Sequence, residues 1–174
     1  PITDIIQCHN TQISPISFSS SSSNVTYSWT NNTTSIGLGA SGNGNIPGFT
    51  ASNPSTTAQS GTVTVTPAIG TCIGTPETFT ITVNPTPVPT AQNNGPLCPG
   101  DQLDLTATGL PGSSYSWSGP GSYSSSAQNP SVAAVSAADA GTYTVTVTDV
   151  NGCSIIRSAT VNVTLPPVVV QSAL

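Results

Sequence analysis

The sequence predicts an all-β protein built as two antiparallel β-sandwiches in tandem, joined by a proline-rich linker. Three observations predict it. Apolar residues alternate with threonine in "GTVTVTP" (61–67), "ETFTITV" (77–83), "GTYTVTVTD" (141–149) and "SATVNVT" (158–164). Such period-two patterns mark strands with one buried and one wet face. Turn formers are abundant, with 16 Gly and 16 Pro, and no run of helix formers is long enough for an ordinary helix. Finally, a frame from cysteine to Tyr-Ser-Trp occurs twice, from Cys8 to Trp29 and from Cys98 to Trp117.

The first half spans residues 1–85. Val63 and Val65 point one way along their strand, and Phe79, Ile81 and Val83 do the same along the next. The middle, "SIGLGASGNGNIPGFTASNPSTTAQ" (35–59), is glycine-rich and suits turns and meandering edge strands. In "NPTPVPT" (84–90), Pro85, Pro87 and Pro89 cannot donate ladder hydrogen bonds and hold the chain extended as a stiff linker. The second half spans residues 86–165. "LDLTATG" (103–109) reads as a second strand, and Trp117 lies on a third. The tail 166–174, "PPVVVQSAL", reads as a linker or the first strand of a following repeat.

"DAGTYTV" (139–145) is the most specific signal. Asp139, Gly141 and Tyr143 have the spacing of the immunoglobulin tyrosine corner, in which the Tyr hydroxyl bonds back to the preceding backbone. Trp117 falls where the buried Trp of strand C belongs. The two inter-sheet cysteine positions of antibody domains align with Ala107 and Val145, so that bridge is absent. In the first half Val63 stands in place of the Tyr, and Gly61 matches Gly141. Trp29, Trp117 and Tyr143 are read as core residues rather than ligand-stacking platforms.

Composition excludes several function classes. One Arg and no Lys stand against six acids, for a net charge of −5. A single cation cannot neutralise a row of phosphates, so no nucleic-acid partner is expected. No apolar run is long enough to insert into a membrane as a helix. The chain opens on Pro1 and contains no Met. It is read as an internal or processed piece of a longer protein.

No catalytic, cofactor-binding or metal-binding residues are assigned. His9 is the sole histidine and is expected in a solvated turn beside Cys8. Asp101 and Asp104 lie three apart near a strand and so point to opposite faces. Asp101 is expected to cap a turn and Asp104 to face water. No calcium loop of the Asp-x-Asp-x-Asp type occurs.

Residues 5–87, with "TYSWTNN", "SIGLGASGNGNIPGFTA" and "CIGTPETFTITVNPTP", resemble a PKD-like repeat. Residues 91–164, with "PLCPGDQLDLTATG" and "DAGTYTVTVTDVNGCS", resemble an Ig-like repeat. Both types recur in large secreted surface proteins of Bacteroidetes, including gliding and attachment adhesins. The resemblance implies export to the cell surface, often by the type IX route, and a stalk or adhesin role without catalysis.

Four cysteines in such a chain imply an oxidising compartment. The spacings of 64, 26 and 55 residues contain no Cys-x-x-Cys pair, which disfavours a metal site. Cys8, Cys72, Cys98 and Cys153 are therefore disulfide candidates. The simple pairing is within each half, Cys8–Cys72 and Cys98–Cys153. Geometry opposes it. Cys98 lies before the start of strand B and Cys153 after the end of strand F, and these strands run the same way. At about 3.3 Å per residue the two are roughly 25–30 Å apart, whereas a disulfide tolerates no more than about 7 Å between Cα atoms. The alternative pairs Cys8 of the first half with Cys153 of the second, leaving Cys98 for a following domain and Cys72 for a preceding one.

Two functions follow. One is a non-catalytic repeat segment of an extracellular adhesin, stalk or filament, whose partners are neighbouring repeats or other copies. The other is a glycan-binding or accessory module of a secreted enzyme, using "SIGLGASGNGNIPGF" or the Tyr115–Tyr123 region.

Overall fold

The computed structural model describes residues 2–167. The chain divides into two compact units, Pro1–Thr86 and Pro87–Leu174. The tail assigned to a following repeat lies, from residue 168 onward, outside the described residues.

Unit 1 contains β1 (Ile5–Cys8), β2 (Gln12–Ile13), β3 (Thr26–Asn31), β4 (Ser41–Asn43), β5 (Phe49–Thr50), β6 (Gln59–Ile69), β7 (Cys72–Ile73) and β8 (Glu77–Asn84). One sheet has the order β1-β8-β6-β3-β4, with β7 paired to β6, and β2-β5 forms a second. Unit 2 contains β9 (Ala91–Asn93), β10 (Leu103–Ala107), β11 (Ser114–Gly119), β12 (Tyr123–Ser125), β13 (Ser131–Val132), β14 (Gly141–Thr148) and β15 (Ser154–Val161). Its sheets have the orders β12-β11-β14-β15 and β13-β10-β9. In the Ig lettering β10 is strand B, β11 is C, β14 is F and β15 is G. Unit 1 repeats the scheme, with β3 as C, β6 as F and β8 as G.

The alternation read from sequence is the burial pattern. Val63, Val65, Phe79, Ile81 and Val83 join Trp29 in the core of unit 1. Tyr143, Val145, Val147 and Val161 join Trp117, Leu103 and Leu105 in unit 2. The threonines between them lie on the more exposed face, where Ser118 and Thr144 hydroxyls meet across the strands at 2.8 Å. One feature departs from the antiparallel expectation. β1 runs parallel to β8, and Leu97 makes the corresponding parallel bridge to Val163. The glycine-rich middle of unit 1 also contributes more than turns: Ile36, Leu38 and Ile46 from this stretch are buried.

Strand register shows that the two units share one frame. Trp29 is opposite Val65, and Trp117 is opposite Val145. Gly61 is opposite Ile81, and Gly141 is opposite Val161. Val63 and Tyr143 are therefore equivalent, and so are Asn31 and Gly119, each two residues past the Trp. A side chain at Gly119 would collide with the Tyr143 ring. In unit 1 Val63 leaves that space, and Asn31 takes the polar role. Its amide donates to Thr33 O at 2.9 Å and Leu38 O at 3.0 Å, and its Oδ1 accepts from Thr33 N at 3.1 Å. A Cβ on Gly61 would come within 2.7 Å of Asn31 Oδ1. Each unit thus closes this corner with one large group over one glycine, placed on opposite strands.

In unit 2 the Tyr143 hydroxyl donates to Asp139 O at 3.1 Å, which is the tyrosine corner. The ring is fully buried and stands edge-on to Tyr123 at 5.3 Å. Burial pushes the Tyr143 hydroxyl pKa up, with the Asp139 charge adding to it, so the phenol remains a donor. Tyr143→Phe keeps the packing and removes one hydrogen bond. It is expected to destabilise unit 2 by about 1 kcal/mol, read as a shift in its denaturant midpoint.

Candidate functional site

The four cysteines occupy two structurally equivalent pairs of positions. Gln7 pairs with Val83 and Cys8 with Asn84, while Leu97 pairs with Val163. Val83 and Val163 are equivalent, so Cys8 and Cys98 occupy the same place, at the turn into strand B. Both turns have the same form. Cys8 O accepts from Thr11 N at 3.1 Å, and Cys98 O accepts from Asp101 N at 3.1 Å. The third residue has positive φ in each, Asn10 at 64° and Gly100 at 97°. Pro99 in second position and Gly100 in third are what a type II turn requires. Asp101 caps its turn as expected, its Oδ2 accepting from Cys98 N at 2.8 Å.

The other two cysteines lie at the F–G connections. Cys72 begins β7, opposite Ile69, and is exposed beside the exposed side chains of Ile69 and Ile73. Cys153 follows the tight turn after β14 and is buried. The buried Asp149 carboxylate organises that turn, its Oδ1 accepting from Asn151 N and Cys153 N, each at 2.9 Å.

Cys8 and Cys153 are disulfide-bonded. Cys72 and Cys98 are free thiols and exposed. The simple pairing within each half is ruled out: neither Cys8–Cys72 nor Cys98–Cys153 forms. The strand placement gives the reason for unit 2. Cys98 sits at the start of strand B, and Cys153 follows the far end of strand F.

His9, beside Cys8, is not a solvated turn residue. Its Nδ1 accepts from Asn53 N at 2.9 Å, which requires an unprotonated Nδ1. The buried Asn53 amide donates to Val83 O at 2.7 Å and Thr57 O at 2.8 Å. His9 N also donates to Asn84 O at 2.8 Å. The turn carrying Cys8 is thus tied to strand G and to the loop after β5. Buried Asn residues as hubs escaped the sequence reading, because nothing separates them from the many exposed Asn. Arg157, the sole cation, donates through Nε to Pro89 O at 3.1 Å. Asp104 accepts from Gln102 Nε2 at 2.7 Å and is not brought together with Asp101. Among the described residues, no three of His, Cys, Asp and Glu gather in a way that could hold a metal ion.

The surfaces considered for glycan contact keep most of their residues exposed but give their larger apolar groups to the core. Ile36, Leu38 and Ile46 turn into the core, and Tyr123 packs on Tyr143. Unit 1 instead has a groove of about 480 Å³ lined by Phe18, Tyr27, Ile16, Pro67 and Glu77. The Phe18 and Tyr27 rings lie 5.5 Å apart at 48°.

Asp139 holds the E–F corner through a capping box. Its Oδ2 accepts from Ser136 N and Ser136 Oγ, each at 2.8 Å. These hydrogen bonds, the backbone one first, hold its carboxyl pKa below the usual value. A depressed folded pKa means a stabilisation that is complete above the unfolded pKa and is lost as pH falls through the folded one. Asp139→Ala is therefore expected to lower the unfolding midpoint of unit 2 at neutral pH. The gap from wild type should close as acid protonates the carboxyl.

No family model and no curated protein matches the chain. Among solved structures it is similar to the IG1+IG2 pair of DIP-gamma, with 11% identity over 92% of this chain and 93% of that one, at a TM-score of 0.43. It is similar to the amphioxus IgVJ-C2 molecule, with 16% identity over 92% and 99%, at 0.38. It is also similar to the Ig1 domain of mouse SynCAM 2, with 20% identity over 47% and 98%, at 0.36.

Proposed function

We propose that this chain is a non-catalytic, load-carrying segment of an extracellular adhesin, stalk or filament. In it Cys8 of unit 1 and Cys153 of unit 2 are bonded to each other. The observation that carries the reading is the choice of bonded cysteines. Each unit has one cysteine at the turn into strand B and one at the F–G connection. The bonded ones are the first kind in unit 1 and the second kind in unit 2. Such a bond staples consecutive repeats, which a chain under tension needs and an isolated binding domain does not. It also supports an oxidising compartment, consistent with a secreted or cell-surface location. The resemblance to PKD-like and Ig-like repeats of Bacteroidetes surface proteins, and export by the type IX route, belong to the same reading. Its partners are then neighbouring repeats.

A bond between Cys8 and Cys153 bypasses residues 9–152. Tension applied at the two ends crosses the sulfurs instead of the two sandwiches. Unfolding of the enclosed residues 9–152 would not lengthen the chain; only the segments outside the bond, which include β1 and β15, could be drawn out.

The second reading is glycan binding, favoured by the Phe18–Tyr27 groove, where a ring face and the Glu77 carboxylate could meet a sugar. An array of glycans probed with the native chain separates the two. The load-carrying reading expects a blank array. Saturable binding to one glycan class, lost in Tyr27→Ala, would establish the module reading instead.

A further inference from the structure

We infer that Cys98 and Cys72 are the two halves of the same bridge made between copies of this chain, Cys98 of one copy bonding Cys72 of the next. The inference rests on the load-carrying reading and extends it to a polymer. Cys98 occupies the position of Cys8, in a turn with the same i to i+3 hydrogen bond and the same positive φ at the third residue. Cys72 lies at the same F–G connection as Cys153. The positions they copy are the bonded ones in this structure, while Cys98 and Cys72 are free and exposed. A bridge from the strand-B turn of one unit to the F–G connection of the following unit would join unit 1 to unit 2 within a chain. Repeated once more, it joins unit 2 of one copy to unit 1 of the next. Cys98 needs an F–G cysteine, Cys72 needs a strand-B-turn cysteine, and a second copy of this chain supplies both. The contact is head-to-tail, and a linked pair keeps a Cys72 at one end and a Cys98 at the other for further copies.

The surface around Cys72 supports an occupant there. Ile73 is 77% exposed and Ile69 46% exposed beside it, so the thiol is bordered by apolar surface that a second copy could cover. The bond itself forms by thiol–disulfide exchange. One Cys98 thiol and one Cys72 thiol give up two protons and two electrons to a disulfide oxidant. With oxidised glutathione, the products are one protein disulfide and two molecules of reduced glutathione.

The test uses the full chain with its existing bond intact, incubated with oxidised glutathione and separated without reductant. Wild type is expected to give a ladder of multiples, with a Cys72–Cys98 peptide in its digest. Cys72→Ser alone and Cys98→Ser alone should each lose the ladder, and an equimolar mixture of the two should give a dimer. The inference is overturned if either variant alone dimerises as readily as the mixture, since that is random thiol oxidation. It is also overturned if the thiols take up only glutathione, or if Cys72 and Cys98 bond within a monomer. The same digest reports the existing bond. A Cys8–Cys153 peptide without a Cys72–Cys98 peptide sinks this inference alone. Absence of the Cys8–Cys153 peptide sinks the load-carrying reading.

Discussion

Pulled from its two ends, the oxidised chain is expected to extend about 500 Å less than the reduced chain. The figure is the contour length of residues 9–152 at about 3.3–3.6 Å per residue. With Cys8 bonded to Cys153, only residues 1–8 and 153–174 can be drawn out, however many sandwiches unfold. Reduction releases the enclosed loop, and the force trace gains the unfolding of both units. Cys8→Ser should behave like the reduced chain without any reductant. Single-molecule force spectroscopy with the ends tethered reads the difference directly. Equal extension in both redox states would show that the bond does not enclose the two units.

The second large effect is Trp117→Ala. Trp117 is 1% exposed, lies opposite Val145 and shares its cluster with Leu105 and Ala107. Its Nε1 donates to Gln128 O at 3.3 Å. With no B–F bridge, this ring spans the centre that a disulfide holds in antibody domains. Truncating a buried Trp to Ala costs about 3–5 kcal/mol. Domains are stable by only about 5–15 kcal/mol, and one of this size belongs toward the lower end. Unit 2 should lose most of its cooperative unfolding transition, and amide exchange over residues 87–167 should accelerate by several orders of magnitude. A loss under about 1 kcal/mol would mean that the ring is not what holds this core.

Much of this was legible in the sequence because threonine marks the wet face so regularly. In "GTYTVTVT" every second residue enters the core, and one-residue slips would bury threonine. The paired Tyr-Ser-Trp frames fixed strand C in each half, and the Asp139–Tyr143 spacing fixed the corner of unit 2. Placing Cys98 and Cys153 at far ends of strands B and F then argued against bonding them to each other, and both Cys98 and Cys72 are free in the structure.

Other parts were not legible for physical reasons. The parallel pairing of β1 with β8 joins strands more than seventy residues apart, and β1, "IIQC", carries no alternation to announce its partner. Asn31 closes the corner of unit 1 with side-chain hydrogen bonds to the loop that follows it. It is one Asn among many, and only the register shows that it stands where Gly119 stands in unit 2. The Phe18–Tyr27 groove needed a serine-rich stretch, "SFSSSSSN", to fold back beside β3. That stretch has neither strand nor helix periodicity. His9 looked like a turn residue and is one, but its acceptance from Asn53 depends on a loop forty-four residues away.

The central claim is that Cys8 and Cys153 are each other's partners, and one cleavage tests it. Glu77 is the only Glu in the chain, so a glutamate-specific protease cuts the denatured, thiol-blocked, unreduced protein once. Cys8 and Cys72 fall in the first fragment, and Cys98 and Cys153 in the second. The account predicts a single band without reductant that separates into two fragments with it, and a Cys8–Cys153 peptide on further digestion. Two separate fragments before reduction would contradict it, because no bond would then join the two halves.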